Sequence, residues 1–201
     1  MKYSIKGIRK PVAQRFADLE KTSMSIIPIL ASDVQILCAR IDKDQYDSTS
    51  ARAAVRCYFS EVEAIIYFMK ELTSILCETK KFGGILSEDE KEKLVGKRRE
   101  IKRGELRETI LPRQGLLDKV KFVLKIYSKI HNIDYRIDHE SEGWQKFVVA
   151  SKIRHRLTHP SKIGDVDISR EDYDMVAFAS KWFIDQQKEI DRLKHNKHLD
   201  H

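Results

Sequence analysis

Apolar residues recur at spacings of three and four along most of this chain, the period that gives an α-helix one buried face. The first such run is "MSIIPILASDVQILCARI", in which Ile26, Ile27, Leu30, Val34, Leu37, Cys38 and Ile41 share a side. Pro28 has no backbone N–H and crowds the preceding turn, so it is expected in the first turn of this helix or at a kink. Residues 1–22 before it are expected to form an N-terminal arm. The second run is the longest: Val55, Val62, Met69 and Leu76 recur every seven residues, with Tyr58/Phe59, Ile65/Ile66 and Leu72 between them. That is the seam of a long bundle helix, and Ser48, Thr49 and Ser50 offer hydroxyls to cap its start.

The pattern then fails over "KFGGILSEDEKEKLVGKRREIKRGELRETILP". Gly83 and Gly84 interrupt the helix, Ser87 and Glu90 have the spacing of a capping box for one short helix, and Lys97, Arg98, Arg99, Lys102 and Arg103 make a basic run. A solvated face is the ordinary fate of such a run, and a nucleic-acid backbone contact is the other. Pro112 suits the first turn of a third long helix carrying Leu116, Val120, Val123, Leu124, Tyr127 and Ile130 and ending near Asn132. A fourth is expected from Ser141 to Pro160. A last one follows "DISRED", where Ser169 is the cap and Asp172 sits at the positive end of the helix dipole. Together these predict an all-α protein: a single domain over residues 1–201, an antiparallel bundle of four to five long helices plus one short helix, closed by a charged tail at 195–201.

Composition narrows the picture without overturning it. Charged residues are 34% and hydrophobic ones 41% of the 201 residues, a balance that suits amphipathic helices packed in water. No apolar run is read as a membrane span and no signal peptide as a leader, so a cytoplasmic protein with no membrane partner is expected. Cys38, Cys57 and Cys77 are odd in number, far apart and set among apolar residues, as reduced thiols are, and no CxxC pair offers a zinc or redox site. Lys plus Arg exceeds Asp plus Glu by 38 to 31, a net charge of +7, which favours polyanionic partners.

The chemistry concentrates at the end of the fourth helix, "ASKIRHRLTHP". At about 100° per residue, Trp144, Phe147 and Val148 share a sector with Ser151, Arg154, His155 and Thr158. A face that begins apolar therefore ends polar, while Ala150, Ile153 and Leu157 keep an adjoining stripe for packing. Cations near a helix C-terminus complement its dipole, which accounts for Arg156. Arg154 and His155 border the packed side instead, where a cation needs an acid partner, a cleft or a second subunit, and the nearest following acid is Asp165. His159, before Pro160, is expected off the regular helix with its ring free to turn toward Arg154.

"RHRLTH", Arg154 to His159, resembles the motif of the HEPN superfamily (higher eukaryotes and prokaryotes nucleotide-binding domain): Arg, a polar residue, three positions, then His, at a helix end in an all-α domain. The segment that follows, "PSKIGDVDISREDYDMVAFASKWFID", is similar to that of bacterial relatives. A second Arg/His pair, Arg192 and His198, lacks the polar residue, since Leu193 stands there.

The resemblance implies a metal-independent endoribonuclease, often a toxin or antiviral defence effector, using no cofactor. Arg154, His155 and His159 would be its catalytic residues, and Ser151, Arg156 and Thr158 would contact the RNA. His159 would serve as acid/base, because imidazole titrates near neutrality, and Arg154 as the phosphate clamp, because guanidinium is always charged and forked. His155 would orient the RNA or Arg154. The family also implies a homodimer in which two motifs face one cleft, and a nucleotidyltransferase-like antitoxin as a further partner. Two alternatives remain open. One is a non-catalytic helical module in which the same cluster binds nucleotide, RNA or a protein. The other is a zinc site on His155 and His159, four apart but with no third ligand nearby.

Overall fold

The computed structural model describes residues 10–43, 46–102, 105–112 and 114–199. Residues 1–9 of the expected arm, Arg103 of the basic run and residues 200–201 of the expected tail lie outside them, as do the side chains of Arg99, Lys102 and His198. The described elements are α1 (Val12–Lys43), α2 (Ser48–Cys77), α3 (Glu88–Val95), β1 (Lys97–Lys102), β2 (Glu105–Ile110), α4 (Leu116–Ile130), α5 (Glu142–Thr158) and α6 (Arg170–Leu199), with one 3₁₀ turn at Ile163–Val166. The protein is all-α, as the periodicity predicts, and its described residues form five long helices, one short one and a two-stranded hairpin.

Helix α2 is the centre, because α1, α4, α5 and α6 all pack on it. Its seam residues Val55, Val62 and Met69 are buried with Phe59, Ile65 and Ile66, while Leu76 joins a smaller cluster with Leu86, Leu94, Ile126 and Ile130 beneath α3. The start of α2 is capped one residue earlier than expected: the Asp47 carboxylate accepts the N–H groups of Thr49 (3.1 Å) and Ser50 (2.7 Å). A carboxylate there also meets the positive end of the dipole, an advantage no hydroxyl offers. Ser87 and Glu90 form the expected capping box at α3, and Gly96 ends that helix at φ 74°, a left-handed conformation suited to glycine.

Helices α5 and α6 close on each other at a glycine. A Cβ on Gly143 would lie 2.0 Å from Cδ1 of Trp182, so the missing side chain is what lets the two helices close. Around that contact the ring of Phe147 lies 6.0 Å from Trp144, 5.5 Å from Trp182 and 5.9 Å from Phe183, an aromatic wedge that fixes the first half of α5. Helix α5 starts after Ser141, as read from sequence, and Ser169 is the expected cap of α6. The Ser141 hydroxyl accepts the Trp144 N–H, and the Ser169 hydroxyl accepts the Asp172 N–H at 3.1 Å.

Four boundaries differ from expectation. Helix α1 begins at Val12, so residues 12–22 are helical and Pro28 lies in the interior of the helix. The apolar stripe runs back through Ile27 and Leu19 to Val12, and Arg15 ion-pairs with Glu78 at 2.7 Å, fastening the start of α1 to the end of α2 in antiparallel fashion. The expectation that no stretch is apolar enough to span a membrane also fails here: α1 contains an 18-residue window of mean hydropathy 1.5. Only 6% of that window is buried, because α2 covers one side and Met24, Ile29 and Ile36 face outward.

The basic run lies on an antiparallel hairpin, with Lys97 opposite Ile110 and Lys102 opposite Glu105. Its carboxylates come from the neighbouring strand and from α3. Lys97 pairs with Glu108 (3.0 Å), and Arg98 with Glu92 (3.0 Å) and Asp89 (3.4 Å). Pro112 stands in the connection ahead of α4, which starts after Gly115 instead, and α6 continues to Leu199, making 195–199 helical. The cysteines are free and half-buried, and Cys38 Sγ lies 2.8 Å from the Tyr58 hydroxyl.

Candidate functional site

Past Ala150, α5 leaves the aromatic wedge. Only Ile153 and Leu157 remain buried, and they hold the second half of the helix against the core. That anchoring turns Arg154 toward α2, where its guanidinium donates to the Glu63 carboxylate at 2.5 Å. The arginine side chain is 27% exposed, so it is half sheltered yet reachable. Ion pairs with this exposure contribute about 0–1 kcal/mol, which makes the carboxylate a positioning partner that a phosphate could displace at small cost.

His155 and His159 are both exposed, and their rings lie 5.2 Å apart between centroids at an angle of 53°. One helical turn links them: the His159 N–H donates to the His155 carbonyl at 2.9 Å, after which φ −128° and ψ 64° take His159 out of the helix ahead of Pro160. His159 thus lies off the regular helix, as expected ahead of Pro160, but its ring is placed beside His155, and no contact with Arg154 is seen among the described residues. Two imidazoles in one solvent-facing corner are within reach of water or a substrate, the access that general acid/base chemistry requires.

The remaining expected contacts separate. Arg156 turns to the other side of α5 and is hydrogen-bonded to Asp172 in the first turn of α6, both side chains being about two-thirds covered. This pairing makes it a strut between helices, beyond the dipole role alone, and places it away from the cleft that Arg154 lines. The Thr158 hydroxyl donates to the Arg154 carbonyl at 2.8 Å and the Ser151 hydroxyl to the Val148 carbonyl at 2.8 Å, so each retains lone pairs but has committed its proton to the helix. Asp165, the first acid after the motif, pairs with neither arginine. Its carboxylate accepts the Ser161 N–H and hydroxyl (2.8 Å each) and the Lys162 N–H (3.1 Å), bonds that hold its pKa below the ordinary aspartate value and pin the loop after Pro160.

Arg154, His155 and Ser151 stand on the wall of a cleft of about 1010 Å³ between α2, α4, α5 and the base of the hairpin. His159, Thr158 and Arg156 lie outside its lining. The cleft is lined by Lys70, Lys93, Lys119, Lys121, Lys152 and Arg154 against two carboxylates, Glu63 and Asp118. Its potential is therefore positive.

Among the described residues, no group of three or more His, Cys, Asp or Glu side chains is placed to hold a metal ion. Glu63 and Asp172, the partners of the two arginines, escape a sequence reading because they are 91 residues before Arg154 and 16 residues after Arg156, with no local pattern tying them to the motif. The cleft lysines escape it for the same reason. No protein-family model, curated protein or solved structure matches the chain.

Proposed function

We propose that this protein is a metal-independent endoribonuclease of HEPN type, working as a homodimer whose two α5 ends face one another. The observation that carries the reading is the corner itself: two exposed imidazoles, His155 and His159, one turn apart on the helix that carries a half-sheltered Arg154, which Glu63 holds on the wall of a cationic cleft. RNA brings its own nucleophile. One histidine takes the 2′-OH proton as that oxygen attacks the adjacent phosphorus, the P–O5′ bond breaks, and the departing 5′-oxygen receives a proton from a second imidazole. Arg154 exchanges Glu63 for the phosphate and stabilises the extra charge of the pentacoordinate state with its forked donors. The products are a 2′,3′-cyclic phosphate and a 5′-hydroxyl. A second protomer doubles the supply of histidines, so acid and base need not be the same residue. The setting that fits is a cytoplasmic toxin or defence nuclease, restrained by a nucleotidyltransferase-like antitoxin.

The test is incubation of single-stranded RNA with purified protein in a chelator, followed by analysis of the new ends. The expected result is a cyclic phosphate from the wild type and none from His159→Ala. Equal cleavage by both proteins, or cleavage only with added divalent metal, would refute the mechanism. The second reading, a non-catalytic module that binds RNA, nucleotide or protein, is favoured by one observation: the Arg154–Glu63 pair satisfies the arginine without any ligand. RNA binding with no cleavage by the wild type would select it.

A further inference from the structure

The cleft beside the motif has contents that cleavage at Arg154 and His159 does not require. One stripe of α2, at spacings of three, one and three, places Glu63, Ile66, Tyr67 and Lys70 along its wall. Ile66 is buried and belongs to the core, whereas Tyr67 is 54% exposed although it is a large aromatic residue on the central helix. Its ring meets that of Phe68 at 73°, 5.4 Å between centroids, and the exposed residue lines the cleft. Opposite it, α4 contributes Phe122 with Lys119 and Lys121, and α5 contributes Lys152. Lys121 is steadied over the Trp144 ring at 5.1 Å, and Lys93 pairs with Asp89. Lys70, Lys119 and Lys152 have no ion-pair partner among the described residues.

An aromatic face among unpaired lysines is the arrangement that tracks a single nucleic-acid strand: the cations follow the phosphates, and the ring stacks a base whatever its identity. A duplex would present phosphates but no free base face. The volume also fits, since about 1010 Å³ reaches the top of the ~300–1,000 Å³ typical of small-molecule sites and leaves room for more than one nucleotide. Glu63 links this cleft to the motif, because it both lines the cleft and holds Arg154.

We infer that the α2–α4–α5 cleft is the path of the RNA strand leading to the cleavage corner, with a base stacked on Tyr67 and the phosphates carried by Lys70, Lys119 and Lys152. This rests on the ribonuclease reading for its connection to chemistry, but binding can be measured without cleavage. A fluorescein-labelled 2′-O-methyl single-stranded oligonucleotide, which lacks the free 2′-OH, serves as the probe with the full chain. Tyr67→Ala is expected to weaken its binding about 5- to 150-fold, the range of one lost stacking contact, while Tyr67→Phe keeps it. Replacing Lys70, Lys119 and Lys152 together by Ala is expected to lower the slope of log K against log salt by about 2, as three lost phosphate contacts on a single strand should.

Thermal melts of the same variants report whether the fold is intact, and Tyr67→Phe is the variant least able to disturb it. Unchanged affinity and unchanged salt slope would overturn the assignment, as would equal binding of a duplex, or binding of polyglutamate in place of the oligonucleotide. The two readings fail separately. Wild-type cleavage that needs His159 but ignores Tyr67 and the three lysines removes the strand path and keeps the nuclease. Probe binding that depends on them, with no cleavage of ordinary RNA, removes the nuclease and keeps the path.

Discussion

Between Ser141 and Ala150, α5 buries Gly143, Trp144, Phe147 and Ala150 against α6 and the core, whereas between Ser151 and Thr158 it buries only Ile153 and Leu157. The first half is held on several sides by aromatic rings, and the second by a narrow stripe and two ion pairs, Arg154 with Glu63 and Arg156 with Asp172. A helix anchored this firmly at one end can leave the other end half exposed without losing its direction, since helical continuity carries the rigidity over. The two ion pairs also differ in what surrounds them. Glu63 holds Arg154 on the wall of an open cleft, while Asp172 draws Arg156 into the junction with α6.

Substitutions at the two ends should therefore separate chemistry from stability. The largest expected effect is on cleavage: Arg154→Ala loses about 100- to 1,000-fold in rate, the usual loss when a donor to developing charge is removed. Its melting temperature stays within a few degrees of wild type, because an exposed pair contributes about 0–1 kcal/mol. Gly143→Ala should do the opposite. With 2.0 Å between the new methyl and Trp182, the α5–α6 junction must open at a cost of about 1–3 kcal/mol, seen as a lower melting temperature with a much smaller change in rate.

Arg156→Ala sharpens the contrast between the two arginines. It leaves Asp172 partly covered and without its guanidinium, a loss of about 1 kcal/mol in denaturant titration, with cleavage within a few-fold of wild type. A large loss of activity in Arg156→Ala with stability intact would break the distinction. Ser141→Ala, which removes the N-cap of the anchored end, should cost about 1 kcal/mol or less and leave RNA binding unchanged.

The smallest effect concerns Asp165. Its carboxyl has a lowered pKa in the folded protein, chiefly from the Ser161 N–H, so its contribution is fully present above the ordinary value of 3.8 and is lost as pH falls through the lower folded value. Asp165→Asn should thus loosen the loop after Pro160 at neutral pH, read as faster amide exchange at Ser161 and Lys162. The difference from wild type should shrink in strong acid.

How much of this was legible in the sequence follows from the range over which each cause acts. The limits of α5 were, because Ser141 and Pro160 act on their own neighbours, and so was the seam of α2, because a seven-residue repeat leaves no other face for a core. The start of α1 was not: Pro28 read as a first-turn residue or a kink, and the stripe through Val12, Leu19 and Ile27 carries the helix past it. The hairpin was hidden because Lys97–Ile110 alternates charge with charge more than apolar with polar, and its pairing is set by strand register. The motif itself was visible as a cationic cluster wanting a partner. Which residue supplies that partner, and which arginine turns to the cleft, depend on how α2 and α6 lie beside α5, and no spacing within "ASKIRHRLTHP" encodes that.

The most direct measurement of the central claim uses two single-stranded RNAs of one sequence in a chelator, one all-ribose and one carrying a single 2′-deoxy nucleotide at the mapped cut. Cleavage of the first at that position, and none of the second there, is the expected result if a 2′-oxygen is the nucleophile at the end of α5. Equal cleavage of both at that position would contradict it.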